Sequence, residues 1–152
     1  MGLAGPLRDS FENKERVIMT AFQEPLYIVD DDLSFGKSLK RLLNARGLTA
    51  DCFSSAQSFL DSVFPGQTEG IAIVDINMPG CDGFALMDKM HDLGFRIPVI
   101  VITGKHQKGS HSCAMERGAM GYLEKPFSEG SLMELIETIT DQKLTGRIPS
   151  IK

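Results

Sequence analysis

From Leu26 onward, short apolar runs alternate strictly with segments of helical period, and few folds accept that pattern. Leu26-Tyr27-Ile28-Val29, Ile71-Ala72-Ile73-Val74 and Val99-Ile100-Val101-Ile102 are unbroken apolar runs, as strands buried on both faces should be. Thr49 to Phe53 and Gly121-Tyr122-Leu123 read as shorter, weaker strands. Between the runs, one helical face recurs: Phe35, Leu39, Leu42 and Leu43; Ala56, Phe59, Leu60 and Val63; Leu86, Met90 and Leu93; Leu132, Leu135, Ile136 and Ile139. Gly47, Gly94 and the pair Pro65-Gly66 stand where these segments should stop. The stretch from Gly104 to Gly118 has the faintest pattern, with only Cys113, Ala114 and Met115 pointing to a helix. Five strands alternating with five helices predict an α/β fold, a doubly wound parallel sheet with helices on both faces.

Size and charge narrow the function. The chain has 152 residues, enough for one domain with a sizeable core. The alternating unit spans residues 25–141; residues 1–24 form an N-terminal extension and residues 142–152 a slightly basic C-terminal tail. The extension carries a weak helical pattern (Phe11, Ile18, Phe22), and two readings stay open: a docked helix, or an artefact of start-site choice with Met19 as the initiator. A net charge of -4 and a pI near 5.3 argue against nucleic acid as a partner of this chain. Three cysteines without a CxxC pair fit reduced thiols in a cytoplasmic protein. No apolar run nears the ~18 residues of a membrane span, and Arg8, Asp9, Glu12, Lys14, Glu15 and Arg16 interrupt any signal peptide.

In open parallel sheets, ligands bind beyond the carboxyl ends of the strands. The first strand ends in Asp30-Asp31-Asp32, the third in Asp75, the fourth in Thr103 and the fifth in Glu124-Lys125-Pro126. Any one of these has an ordinary explanation. Asp32, for example, suits a helix N-cap. Together they crowd carboxylates that repel one another unless a cation intervenes. Mg²⁺ suits such a site, because it takes hard oxygen ligands from one or two carboxylates plus a phosphate. Asp30, Asp31 and Asp75 supply three negative charges, which Mg²⁺ and Lys125 balance. His91, His106 and His111 lack metal-ligand spacing, and Cys81 has no basic sequence neighbour to lower its pKa.

These residues resemble the receiver domains of two-component response regulators. "YIVDDD" is similar to the family's acidic-pair motif, "VDINMPGCDGF" to its phospho-acceptor loop, "VIVITG" to its switch-threonine strand and "GAMGYLEKPF" to its Tyr-x-x-Lys-Pro-Phe motif. The match covers about residues 25–141 and is strongest to receivers that usually precede a LuxR-type helix-turn-helix output. The resemblance implies a flavodoxin-like fold with strand order 2-1-3-4-5. It implies that Asp75 is the phospho-acceptor and that Asp30, Asp31, Asp75 and the backbone carbonyl of Asn77 hold Mg²⁺. It further implies that Thr103 and Lys125 contact the phosphoryl group, that Tyr122 moves with Thr103, and that the Lys125-Pro126 bond is cis.

The implied protein is a phospho-accepting switch rather than an enzyme, limited to self-phosphorylation and self-dephosphorylation. Its expected partners are a sensor histidine kinase or phosphotransfer protein and a downstream protein target, with homodimerisation on phosphorylation left open. Gly36 stands where many relatives have Arg, and Lys105 flanks the site at a variable position. No output domain is expected within the 11 residues after Asp141. Two alternatives are a pseudo-receiver that binds proteins without phosphorylation, and a haloacid-dehalogenase-type phosphatase with Asp30 as nucleophile and Asp32 as acid/base. The phosphatase reading lacks a later acidic pair and leaves Asp75 unexplained.

Overall fold

The structure, a computed structural model, describes residues 24–63, 69–105 and 107–146. The readings placed on residues 1–23 (Phe11, Ile18, Met19, Phe22), on Pro65-Gly66, on His106 and on residues 147–152 lie outside the described residues. Among the described residues ten elements alternate: β1 (Leu26–Val29), α1 (Leu33–Ala45), β2 (Ala50–Phe53), α2 (Ala56–Ser62), β3 (Ile71–Asp75), α3 (Gly83–Asp92), β4 (Val99–Thr103), α4 (Ser110–Glu116), β5 (Gly121–Glu124) and α5 (Glu129–Thr145). The five strands form one parallel sheet in the order β2-β1-β3-β4-β5. Every residue of β1, β3 and β4 is buried, which explains their unbroken apolar runs. The edge strands β2 and β5 are partly exposed and correspondingly mixed in sequence.

Strand parity divides the core in two. Leu26, Ile28, Ile71, Ile73, Ile100 and Ile102 pack with Leu39 and Leu43 of α1 and with Leu132, Ile136 and Ile139 of α5. Tyr27, Val29, Ala72, Val74, Val99 and Val101 face the other way, onto Phe59 of α2, Leu86 and Met90 of α3, and Ala114 of α4. Successive strand side chains point to opposite faces, so parity also decides which face each polar residue at a strand end belongs to.

Helix starts follow from local chemistry. Asp32, Ser55, Asp82 and Ser128 each accept a backbone N–H of the first turn of α1, α2, α3 and α5, the capping that such side chains provide. The helix α4 has no side-chain cap, and Gly109 precedes it at φ 86°. The last helix runs to Thr145, past the boundary at Asp141 read from periodicity. Its final turn offers no apolar signal, since Leu144 is exposed. Instead, Lys143 pairs with Glu24 and donates to the Gly70 carbonyl at 3.2 Å.

The loop after β3 folds back tightly: the Gly83 N–H donates to the Ile76 carbonyl at 3.3 Å. A Cβ on Gly83 would lie 2.7 Å from both the Asp75 carbonyl oxygen and the Ile76 Cα. Both are backbone atoms and cannot step aside alone. Gly83→Ala is therefore expected to destabilise the fold by about 1–3 kcal/mol, the range of overpacking substitutions. A urea titration checks this, and an unchanged midpoint would show that the loop has room to spare.

Candidate functional site

The carboxyl ends of β1, β3, β4 and β5 meet at one edge of the sheet, and register sets their alignment. Val29 pairs with Val74, so Asp30 and Asp75 follow side by side. Thr103 pairs with Glu124, so Lys125 comes next, and its N–H donates to the Thr103 carbonyl at 2.7 Å. By parity, Asp30, Asp75 and Lys125 lie toward α1 and α5, continuing the rows that contain Ile28, Ile73 and Leu123. Thr103 and Tyr122 belong to the opposite row, where Tyr122 packs with Val101 on the α2–α4 side.

The acid side is compact and nearly dry. The Asp30 side chain is fully buried, and those of Asp75 and Lys125 are 6% and 18% exposed. The Lys125 Nζ lies 2.7 Å from Asp30 Oδ2 and 3.7 Å from Asp75 Oδ2. It also sits over the Phe35 ring, 4.0 Å from the centroid, with Phe127 edge-on to that ring, a placement that favours the cation. The Lys125-Pro126 bond is cis.

One ammonium faces two buried carboxylates, and the balance shows on Asp75. Burial pushes its carboxyl up from an ordinary 3.8 to about 6; the Asn77 N–H hydrogen bond opposes this, the Asp30 charge adds to it, and Lys125 offsets part of it. The Asn77 N–H reaches Asp75 Oδ1 at 3.0 Å.

Asp31 is exposed, yet a carboxylate oxygen of Asp30, Asp31 and Asp75 can all be found within 4.8 Å of one another. Three hard oxygen donors with a surplus of negative charge fit a small divalent cation such as Mg²⁺. Asp32, the acid/base of the phosphatase alternative, is exposed, and its Oδ1 caps α1 by accepting the Phe35 N–H at 3.1 Å.

On the other face, Thr103 is wholly buried. Its Oγ1 accepts from Asn77 Nδ2 at 2.6 Å and from the Lys105 N–H at 3.1 Å, and donates to the Lys105 carbonyl at 3.1 Å. Tyr122 is half-buried, with its hydroxyl 2.7 Å from Ser110 Oγ and the His111 ring edge-on at 5.0 Å. The Ser110 hydroxyl already donates to the Gln107 carbonyl at 2.8 Å. A hydroxyl has one proton, so Tyr122 donates to Ser110.

Sequence reasoning missed Ser110, the Phe35 ring and the Asn77 side chain. The helical period of α1 placed Phe35 only on its apolar face, and nothing near Ser110 marks a tyrosine partner. The three cysteines are free thiols, and burial pushes that of Cys52 up, which makes it less reactive.

A parallel sheet of this order with this acid edge is the architecture of response-regulator receivers, and the chain belongs to that family. Residues 26–137 match the response regulator receiver domain. Among curated proteins it is similar to the transcriptional regulatory protein FixJ of Bradyrhizobium diazoefficiens, 36% identical over 117 residues, which are 77% of this chain and 57% of that protein. It is also similar to the response regulator protein TmoT of Ectopseudomonas mendocina, at 39% over 114 residues, 74% of this chain and 51% of the other. The chain thus spans about half the length of these relatives.

Among solved structures, the crystal structure of FixJ-N superposes with a TM-score of 0.72 at 34% identity, covering 78% of this chain and 94% of that one. A CheY-like receiver domain from Methanospirillum hungatei gives 0.71 at 25% identity, covering 82% and 98%. Among the described residues, no helix is long and apolar enough to cross a membrane.

The raised Asp75 pKa has a stability consequence of definite sign. The folded state binds the Asp75 proton more tightly than the unfolded chain. That contribution is therefore full below about pH 4 and is lost as pH rises through about 6. Without divalent cations, Asp75→Asn should be more stable than the parent at pH 7.5 by about 1–3 kcal/mol. The advantage should shrink as pH falls from 6 to 4. Urea titrations across that range check both points, and a pH-independent difference would contradict them.

Proposed function

We propose that Asp75 is the phospho-acceptor of a two-component pathway, receiving a phosphoryl group from a phosphohistidine on a sensor histidine kinase or phosphotransfer protein. The observation that carries this reading is the placement of Asp75: a buried strand-end carboxylate, ionised above about pH 6, with a single ammonium shared between it and Asp30. An Asp75 carboxylate oxygen attacks the phosphorus. The P–N bond breaks, its electron pair returns to the imidazole, and that nitrogen takes a proton from solvent.

Asp30, Asp31, Asp75 and the Asn77 backbone carbonyl would hold Mg²⁺, which when bound neutralises charge on the phosphoryl oxygens. Lys125 Nζ, 3.7 Å from Asp75 Oδ2, is within reach of an oxygen on a group attached there. Thr103 supplies a hydroxyl on the other side of the site. The acyl phosphate adds an oxygen-rich anion at the sheet edge. Thr103 turning toward it vacates space into which the Tyr122 ring can follow, because both lie on the α4 side of the sheet. The surface of α4, β5 and α5 would then change shape for a downstream protein target or a second copy of the chain. Charge and composition favour protein rather than DNA as the direct partner of this domain, and a cytoplasmic site of action fits a kinase-fed switch.

Incubation with acetyl phosphate and Mg²⁺ followed by intact-mass measurement tests the assignment. One added phosphoryl group is expected in the parent, and none in Asp75→Asn or in the presence of EDTA. Full labelling of Asp75→Asn would place the acceptor elsewhere.

A further inference from the structure

Thr103 Oγ1 has one proton and two lone pairs, and all three are engaged. Lys105 supplies two of the bonds from its own backbone, two residues along the chain. The third comes from Asn77 Nδ2 at 2.6 Å, across 26 residues of sequence. Asn77 sits on the loop that follows Asp75, and its own N–H is bound to Asp75 Oδ1. One residue therefore touches the Asp75 carboxylate through its backbone and the Thr103 hydroxyl through its side chain. A hydroxyl with no spare valence has nothing to offer a phosphoryl oxygen until it leaves these partners.

We propose that the Asn77 side-chain amide is a latch: a positioning residue that holds Thr103 in the resting arrangement and must release it when Asp75 is phosphorylated. This rests on the reading that Thr103 engages the phosphoryl group.

Geometry favours a latch over a packing role. The Asn77 residue is exposed while Thr103 is completely buried, so the amide reaches inward to a hydroxyl that its partners keep in place. The Thr103 proton leaves the Lys105 carbonyl for the phosphoryl oxygen, while the Lys105 N–H bond lies within the β4–α4 segment and can travel with Thr103 as it shifts. The Asn77 bond joins two different loops and cannot. Beside the backbone bond from the Ile76 N–H to the Ile102 carbonyl, it is a side-chain bond that resists movement of the Thr103 hydroxyl relative to the Asp75 loop. Removing the donor should lower the cost of the active arrangement by about one hydrogen bond, a 2- to 10-fold effect.

The test is a double-mutant cycle read by the affinity of the full chain for beryllofluoride at saturating Mg²⁺, with Asn77→Ala and Thr103→Val. Asn77→Ala removes an exposed side chain, and Asn77→Leu, which keeps the size without the donor, serves as a second variant. The expected result is that either Asn77 variant binds beryllofluoride about 2- to 10-fold more tightly and that Thr103→Val abolishes the gain. In the beryllofluoride-free protein, the Thr103 and Tyr122 amide signals of the Asn77 variants should move part of the way toward their bound positions.

No gain, or an equal gain in the Thr103→Val background, would overturn the latch. If Thr103→Val alone binds beryllofluoride as well as the parent, the phosphoryl role of Thr103 falls, and the latch with it. If Thr103→Val binds more weakly but the Asn77 variants show no gain, the phosphoryl role stands and only the latch is rejected.

Discussion

The Lys125 ammonium held against two buried carboxylates is the constraint around which the rest of this domain is arranged. Asp30 and Asp75 end adjacent strands, and Lys125 leaves β5 two strands further on. Bringing the three together requires the parallel register of four strands, a close turn through Gly83 behind Asp75, and a ring from α1 beneath the ammonium. Buried charges are costly unless paired, and here the pairing is incomplete: one cation serves two anions. Burial raises the pKa of Asp75, and the Asp30 charge that Lys125 only partly offsets adds to it. The incomplete pairing leaves the site receptive to a further cation and sensitive to any group that changes the charge on Asp75.

Parity turns this local imbalance into a two-sided device. The charged groups lie on the α1–α5 side of the sheet, whereas Thr103 and Tyr122 lie on the α2–α4 side. Adjacent residues of a strand point to opposite faces, so an event at the sheet edge can reach both. The resting structure is tied down on the second side, with Thr103 bonded to Asn77 and Lys105 and Tyr122 bonded to Ser110 at the start of α4. The α4 helix is short and lacks a side-chain cap, which makes it the least locally secured of the five. Coupling between the acid site and a protein surface needs only about 1–3 kcal/mol to be useful, the order of one or two such hydrogen bonds.

Much of this was legible in the sequence, for a physical reason. The central strands are buried on both faces, so their apolar runs had no other explanation, and strand ends then marked Asp30, Asp75, Thr103 and Lys125 as neighbours. The capping role of Asp32 was readable because it is local. Features that depend on distant partners were not. The last turn of α5 rests on Lys143 meeting Glu24 and Gly70, and its one apolar residue, Leu144, faces solvent. Ser110 meets Tyr122 across 12 residues and Asn77 meets Thr103 across 26. Ser and Asn are common turn residues, so neither stood out. The helix α4 was faint because only Ser110 and Ala114 of its residues are buried, too few to write a period.

The most direct measurement of the central claim is a carbon-13 NMR titration of the Asp75 side-chain carboxyl in the protein freed of divalent cations. The account predicts a midpoint near 6 that falls when Asp30→Asn removes the neighbouring charge and leaves Lys125 to Asp75 alone. A midpoint near the ordinary 3.8, unmoved by Asp30→Asn, would show that the two carboxylates do not compete for one ammonium, and would contradict the account.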